Sequence, residues 1–406
     1  MQSLNNKYIL FVILLISCVF SLSLLFYPGA YDVNYWMKWM GNISKFGLFK
    51  GYIANNDMYP PFATGVFYLI IKLSRMIGID QFLCFKLTLF VFLISTTIMI
   101  FIWTKNLLIS ISSQLIFSLI SMSLGYIDIV TAPFILLSLF SLQKKRYLLF
   151  TFFYFINVMI KWQALIMVPF ILVYLLNISS FKEIKTIDWK KILNKIALPS
   201  IILLIITFLV FGYEVYYAFS RALNNNFLSD TINFNWIVTR GLYLIGNYKL
   251  SYGVMEVITI KKGGEIDLVM SATFWLLYIS CLISFIKDEK FFLNLLKYSV
   301  VGYFVYFLFN IGIHENHLFV AALLSLVIIA FDPKYLGATI GINLVLNICL
   351  FFWFEVDGTQ VFIDGIFFTE ISVVLALLFT ILFAFVYFPV IKNLKESFLA
   401  KRLRIK

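Results

Sequence analysis

The length of its apolar runs constrains this chain most. Thirteen apolar blocks follow one another along the 406 residues: 8–26, 61–77, 82–104, 107–124, 127–142, 147–160, 162–178, 197–213, 269–286, 294–311, 315–331, 335–354 and 366–391. Many approach the roughly 20 residues that carry a helix across a bilayer. In lipid every backbone polar group must be satisfied within the structure, which leaves helices or closed barrels. Barrel strands alternate apolar and polar residues, and these runs do not. Hydrophobic residues make up 62% and charged residues 13%, against about 45–50% and about 25% in soluble chains. That excludes a soluble enzyme, a secreted protein and a disordered chain. The expectation is an all-α, polytopic transmembrane protein forming one integral-membrane domain over 1–406.

Block 8–26 is too long for a signal-peptide core, and Tyr27-Pro28-Gly29 is no small-residue cleavage site, so it reads as the first span. The four cysteines (Cys18, Cys84, Cys281, Cys349) all fall in apolar blocks, at spacings that fit neither zinc nor a disulfide framework. Net charge is +12, and the positive-inside rule assigns the excess to cytoplasmic loops. Lys7 and the basic tail 392–406 both belong inside, which thirteen crossings cannot satisfy. Block 61–77 opens at Pro60-Pro61 and ends with Lys72 and Arg75 one turn apart, the pattern of a helix lying in the interface. Its removal leaves about twelve spans. Lys144-Lys145-Arg146, the loop holding Lys182, Lys185, Lys190, Lys191 and Lys195, the segment Lys287–Lys290 and Asp332-Pro333-Lys334 then all fall inside.

The external segments become 27–81, Gly125–Asp128, the junction Lys161-Trp162-Gln163, a long loop 214–268, Ile313–His317, and 355–365 with Glu355, Asp357 and Asp364. Isolated ionisable groups at membrane depth are costly and tend to mark function. Their collection on one side points to a site at the outer membrane–water boundary.

Each candidate has a plain structural reading beside the functional one. Asp32 is a helix cap for an amphipathic stretch 32–46, or a general base near the bilayer surface. Asp57, ahead of Tyr59-Pro60-Pro61, is a turn residue or a ligand-binding carboxylate. Asp128 caps the helix that it opens, or faces a site. Lys161 snorkels, or with Gln163 holds a phosphate. Arg221 and Arg240 in loop 214–268 are surface charges, or bidentate phosphate ligands. His314 and His317, the only two histidines, flank Glu315 in an H-E-x-H string, one residue short of the zincin spacing. No third metal ligand is evident, so donation to an anionic lipid phosphate is the favoured reading. No metal or other cofactor is expected, although a divalent ion is not excluded. No Walker or dinucleotide fingerprint and no internal repeat is present.

Taken together, these short motifs resemble the GT-C superfamily of integral-membrane glycosyltransferases, in particular its mannosyl- and glucosyltransferase branches that use polyprenyl-phosphate sugars. The resemblance extends over about residues 27–320. It implies that Asp32 is the general base on the acceptor hydroxyl and that Tyr59-Pro60-Pro61 leads into a juxtamembrane helix. It implies further that Asp128 ends a Gly-Gln-x-Asp-like motif, with Tyr126 in place of Gln, and that Lys161 and Gln163 form a Lys-x-Gln motif. His314 and Glu315 match a His-Glu motif near the lipid phosphate. Asp57 stands one residue out of register, because Met58 intervenes.

On that resemblance, a single hexose (mannose or glucose) passes with inversion from a polyprenyl-phosphate sugar to a glycan or glycolipid acceptor, at the external or lumenal face. Lys161, His314, His317 and Arg221 or Arg240 would stabilise the leaving phosphate. Tyr31, Tyr35, Trp36 and Trp162 would stack on the sugar. The partners are the lipid-linked donor, the acceptor and membrane lipid, with no nucleic acid. The composition inclines to a bacterial cytoplasmic membrane with the site facing out; in a eukaryote the site would be lumenal in the endoplasmic reticulum. The alternatives are a transporter or flippase of lipid-linked sugars, which would favour inverted repeats, and an O-antigen-type polymerase, which would favour an Arg-rich external loop.

Overall fold

The computed structural model describes residues 2–178, 189–224, 227–229, 231–245, 251–252, 256–257, 260–356, 358 and 370–403. Its helices are α1 (Gln2–Ser23), α2 (Asp32–Phe46), α3 (Leu48–Asn55), α4 (Pro61–Ile77), α5 (Gln81–Thr104), α6 (Leu107–Ser118), α7 (Asp128–Gln143), α8 (Tyr147–Ile160), α9 (Val168–Leu176), α10 (Trp189–Ile192), α11 (Leu198–Phe211), α12 (Glu214–Leu223), α13 (Phe234–Leu244), α14 (Glu265–Lys287), α15 (Phe292–Phe309), α16 (Phe319–Phe331), α17 (Leu336–Phe354) and α18 (Glu370–Leu403). Among the described residues, one antiparallel pair of two-residue strands, β1 (Ser251–Tyr252) and β2 (Glu256–Val257), and an isolated bridge between Ser229 and Ile313 interrupt the helical pattern.

Each of the thirteen expected blocks holds a helix. Among the described residues six helices are long and apolar enough to cross a membrane, and six further apolar helices are 10–17 residues long. Helix α4 falls in neither set. At 1.5 Å per residue, a 14-residue helix such as α8 is about 21 Å long, short of the roughly 30 Å hydrocarbon core.

The chain divides into two compact units, residues 1–164 with 190–224 and 350–361, and residues 165–189 with 225–349 and 362–406. In the first unit α7 forms an antiparallel hairpin with α8 and packs on α5, which also meets α4 and α6. Helices α1 and α6 join through a polar seam: the Ser21 and Ser118 hydroxyls lie 2.7 Å apart, and Gln114 Nε2 reaches Ser21 Oγ at 3.5 Å. Interhelical bonds of this kind average about 0.6 kcal/mol in membranes.

The expected amphipathic stretch 32–46 is α2, which buries Val33, Trp36, Met40 and Ile43 at helical spacing. Gly47 (φ 80°) ends it, and α3 turns back against it. Pro60 is extended and Pro61 is the first helical residue of α4, where a missing N–H costs nothing. Helix α4 buries Ala63, Phe67, Ile70 and Ser74 on one face and exposes Lys72 and Arg75 on the other.

The second unit centres on α15 and α16, both buried over most of their length. Helices α16 and α17 meet at another polar seam, where Thr339 Oγ1 donates to Ser325 O (3.0 Å) and Asn343 Nδ2 to Ser325 Oγ (3.2 Å).

Two expected boundaries change. The stretch 214–268 is not one long loop: its amphipathic segments fold as α12 and α13, and α14 begins at Glu265, before the expected span. The last helix does not end at 391. It runs through Pro389 to Leu403, so the basic tail continues it. Asp357, Asp364, Lys182, Lys185, Arg404 and Lys406 lie outside the described residues.

Candidate functional site

The first unit holds seven of the expected residues: Asp32, Asp57, Tyr59, Asp128, Lys161, Gln163 and Arg221. The α7–α8 hairpin explains the central pair. A tight turn at Lys144-Lys145-Arg146 joins two helices of similar length, so the start of α7 and the end of α8 share one end of the hairpin. Lys161 Nζ there meets Asp128 Oδ1 at 2.5 Å, with side chains 10% and 2% exposed. Each charge also suits its helix end, the carboxylate at an N-terminus and the ammonium at a C-terminus. Asp128 is therefore more than a cap, and Lys161 does not snorkel to solvent: each is the partner of the other. The chain then enters the tight 3-10 turn Trp162–Met167. Gln163 there is only 7% exposed, and neither atom of its amide has a hydrogen-bond partner among the described residues. In the last turn of α8, Asn157 Oδ1 is likewise buried without one among the described residues.

The segment Asp57-Met58-Tyr59 is clamped by three different elements. Arg221 of α12 donates Nε (3.0 Å) and Nη2 (2.7 Å) to the Asp57 carbonyl, while its guanidinium pairs with Glu214. Trp162 Nε1 donates to Met58 O at 2.9 Å, and Tyr52 OH of α3 to Tyr59 O at 3.2 Å. The Asp57 carboxylate accepts from Met58 N at 2.6 Å. Burial raises the Asp57 pKa above the usual carboxylate value, against the Met58 N–H and the Arg221 charge, which pull it down.

Asp32 is the first residue of α2, after Tyr31, which makes no side-chain cap. Ala30 N donates to Leu124 O at 2.7 Å, seating the start of α2 on the turn that leads into α7. The Tyr35 phenol is raised, first by burial, then by its hydrogen bond with Tyr31, then by the charges of Tyr31, Asp32 and Asp57. Of the residues expected to stack on a sugar, Trp36 is buried among Trp39, Tyr59 and Phe67, and Trp162 is engaged with Met58 and Phe219. Tyr31 and Tyr35 remain at the surface of the unit.

A small apolar cavity of about 10 Å³, room for about one water, lies between α4, α5, α7 and α8. Its wall includes Ile127, Val130 and Ile160, the neighbours of Asp128 and Lys161.

Sequence reading passed over Lys86. It lies in α5 at 0% exposure and donates Nζ to Met122 O (2.6 Å) and Ser123 O (2.9 Å). The signal was available: one ammonium inside an otherwise apolar block.

The other four expected residues lie in the second unit. His314 and His317 begin the short turn Glu315–Leu318 as a reciprocal cap, with His314 N donating to His317 Nδ1 at 3.4 Å. The Nδ1 of His317 therefore accepts, and only Nε2 is left to donate. Tyr306 stacks on His317 at 5.7 Å and Phe227 lies edge-on to His314 at 5.0 Å. Glu315 is buried. Arg240 is nearly buried in α13, 5.4 Å from the Tyr243 ring. Among the described residues no three His, Cys, Asp or Glu side chains gather as a metal site would require. No family model matches the chain, and no curated protein matches it.

Proposed function

We propose that this chain is a membrane glycosyltransferase that moves one hexose, mannose or glucose, from a polyprenyl-phosphate sugar to a glycan or glycolipid at the outer membrane surface. The observation that carries this reading is the presence, in one unit, of Asp32, the clamped Asp57, the buried Asp128–Lys161 pair and the buried Gln163 amide without a hydrogen-bond partner among the described residues. A lipid-linked sugar needs polar donors for its phosphate and a carboxylate for the acceptor. In this reading about twelve helices cross, α4 lies in the interface, and the site faces out of a bacterial cytoplasmic membrane.

The acceptor oxygen attacks the anomeric carbon and its proton passes to the Asp32 carboxylate. The carbon–oxygen bond to phosphate breaks with its electron pair leaving on the phosphate, and the anomeric configuration inverts. The unpartnered Gln163 amide supplies a donor to that phosphate, and Lys161, oriented by Asp128, supplies charge. In a partly dry cavity such donors act more strongly than in water. Asp57, with its pKa raised by burial, binds a sugar or acceptor hydroxyl.

The test is transfer by detergent-purified protein from radiolabelled polyprenyl-phosphate mannose and glucose to a membrane lipid extract. Wild type should transfer label, and Asp32→Asn should lose about 10²-fold or more, as removal of a general base does. Equal transfer by both would remove Asp32 from the chemistry. Donor binding without turnover, combined with movement of the donor across vesicles, would replace the reading with a flippase.

A further inference from the structure

We propose that Lys86 is a positioning residue: its ammonium holds the turn at Gly125 on which the helices carrying Asp32 and Asp128 both start. The catalytic half of this inference rests on the glycosyl-transfer reading, while the positioning half stands on the contacts alone.

An apolar side chain would insert at position 86 more cheaply than a charged one. The ammonium is committed to two carbonyls, those of Met122 and Ser123, and no carboxylate pairs with it among the described residues. Those carbonyls belong to the widely wound π-helical turn Leu119–Ser123 that ends α6, where Leu124 N bonds back to Leu119 O (3.0 Å) and Tyr126 N to Ile120 O (3.2 Å). Carbonyls at a helix C-terminus lack partners in their own helix and form its negative end. A buried ammonium satisfies both demands at once.

The next residues carry the consequence. Leu124 O accepts from Ala30 N at 2.7 Å, two residues before Asp32. Gly29 (φ +87°) and Gly125 (φ +75°) lie against Val33 so closely that a Cβ on either would come within 2.6 Å of Val33 Cγ2. Lys86 Nζ is 3.7 Å from where a Gly125 Cβ would stand. The ammonium thus props the turn from within the unit, the Gly29–Val33 segment docks on it, and α7 leaves it three residues later at Asp128. Lys86 reaches the proposed chemistry only through this turn.

The experiment uses the full-length protein in detergent, with Lys86→Met, which keeps the apolar stem without the charge, and Lys86→Ala. Hydrogen exchange followed by mass spectrometry reports on the turn without reference to activity. In Lys86→Met, exchange in peptides covering 27–33 and 124–128 should accelerate at least tenfold, with Asp32→Asn at the wild-type rate. In the transfer assay Lys86→Met should lower kcat by about 10²-fold and move the donor KM less than threefold. Propylamine should restore at least tenfold of the activity lost in Lys86→Ala, and propanol should not. A side chain that only fills space would respond to either additive. Unchanged exchange in Lys86→Met, or equal rescue by propanol, overturns the proposal. Faster exchange in a protein whose wild type transfers no sugar supports the positioning role and discards the glycosyl-transfer reading.

Discussion

Asp128 and Lys161 form a buried pair, and the energetics of such pairs are asymmetric. Two opposite charges taken from water together are roughly neutral against a well-packed apolar substitute, whereas removing one leaves the other uncompensated, at about 3–5 kcal/mol. Asp128→Asn and Lys161→Met should each lower thermal stability strongly in detergent, and the double variant should recover most of the loss. A double variant as unstable as the sum of the singles would show that the two charges are not coupled. Asp57 carries a pH signature. Its folded pKa is raised by burial, so its contribution to stability is fully present below the unfolded carboxylate value of about 3.9 and is lost as pH rises through the higher folded value. Asp57→Asn should flatten that limb of the stability–pH curve and leave the protein more stable at neutral pH. A curve unchanged by the substitution would contradict the burial argument.

At the scale of elements, the juxtamembrane hairpin α2–α3 organises the Asp57 segment, because α3 supplies Tyr52 to the Tyr59 carbonyl. The hairpin closes through Gly51, where a Cβ would lie 2.7 Å from the Ile43 Cα. Backbone cannot yield as a flexible side chain does, so Gly51→Ala should cost about 1–3 kcal/mol, the usual range for overpacking. It should also loosen the 57–59 segment, read as faster protease nicking there. Wild-type stability and nicking would place the hairpin contact elsewhere. The extent of these elements was largely legible. The amphipathic spacing of 32–46 and the Pro60-Pro61 start of α4 each rest on local chemistry, namely helical periodicity and the fixed φ of proline. The folding of 214–268 into α12 and α13 was not read. Their apolar faces are short, and Val215 and Ala218 of α12 pack, together with the nearby Phe211, on Tyr52, a partner remote in sequence.

For the whole molecule, sidedness turns on whether α4 crosses the bilayer or lies in its interface. Twelve crossings with α4 in the interface require Arg75 and Asp80 to lie on the same side as Asn34. Single cysteines at 34, 75 and 80, in a chain with its own four cysteines replaced, should all react with an impermeant thiol reagent from the same side of sealed vesicles. Position 80 reacting only from the opposite side would make α4 a crossing helix and reverse the sidedness of everything after it.

The sequence by itself determined that this chain is helical and belongs in a membrane, because uninterrupted apolar runs have few other solutions in water or lipid. It also located the residues whose charge or polarity is hardest to explain in that setting: Asp32, Asp57, Asp128, Lys161 and Gln163, at or near the ends of helices. Pairing was a tertiary decision. Asp128 and Lys161 are 33 residues apart and meet only because a hairpin brings two helix ends together. Arg221 reaches the Asp57 carbonyl across 164 residues, and Lys86 closes a turn 36 residues away. A charge in a span announces that it needs a partner, but its neighbours along the chain do not include that partner. Only helix packing supplies it.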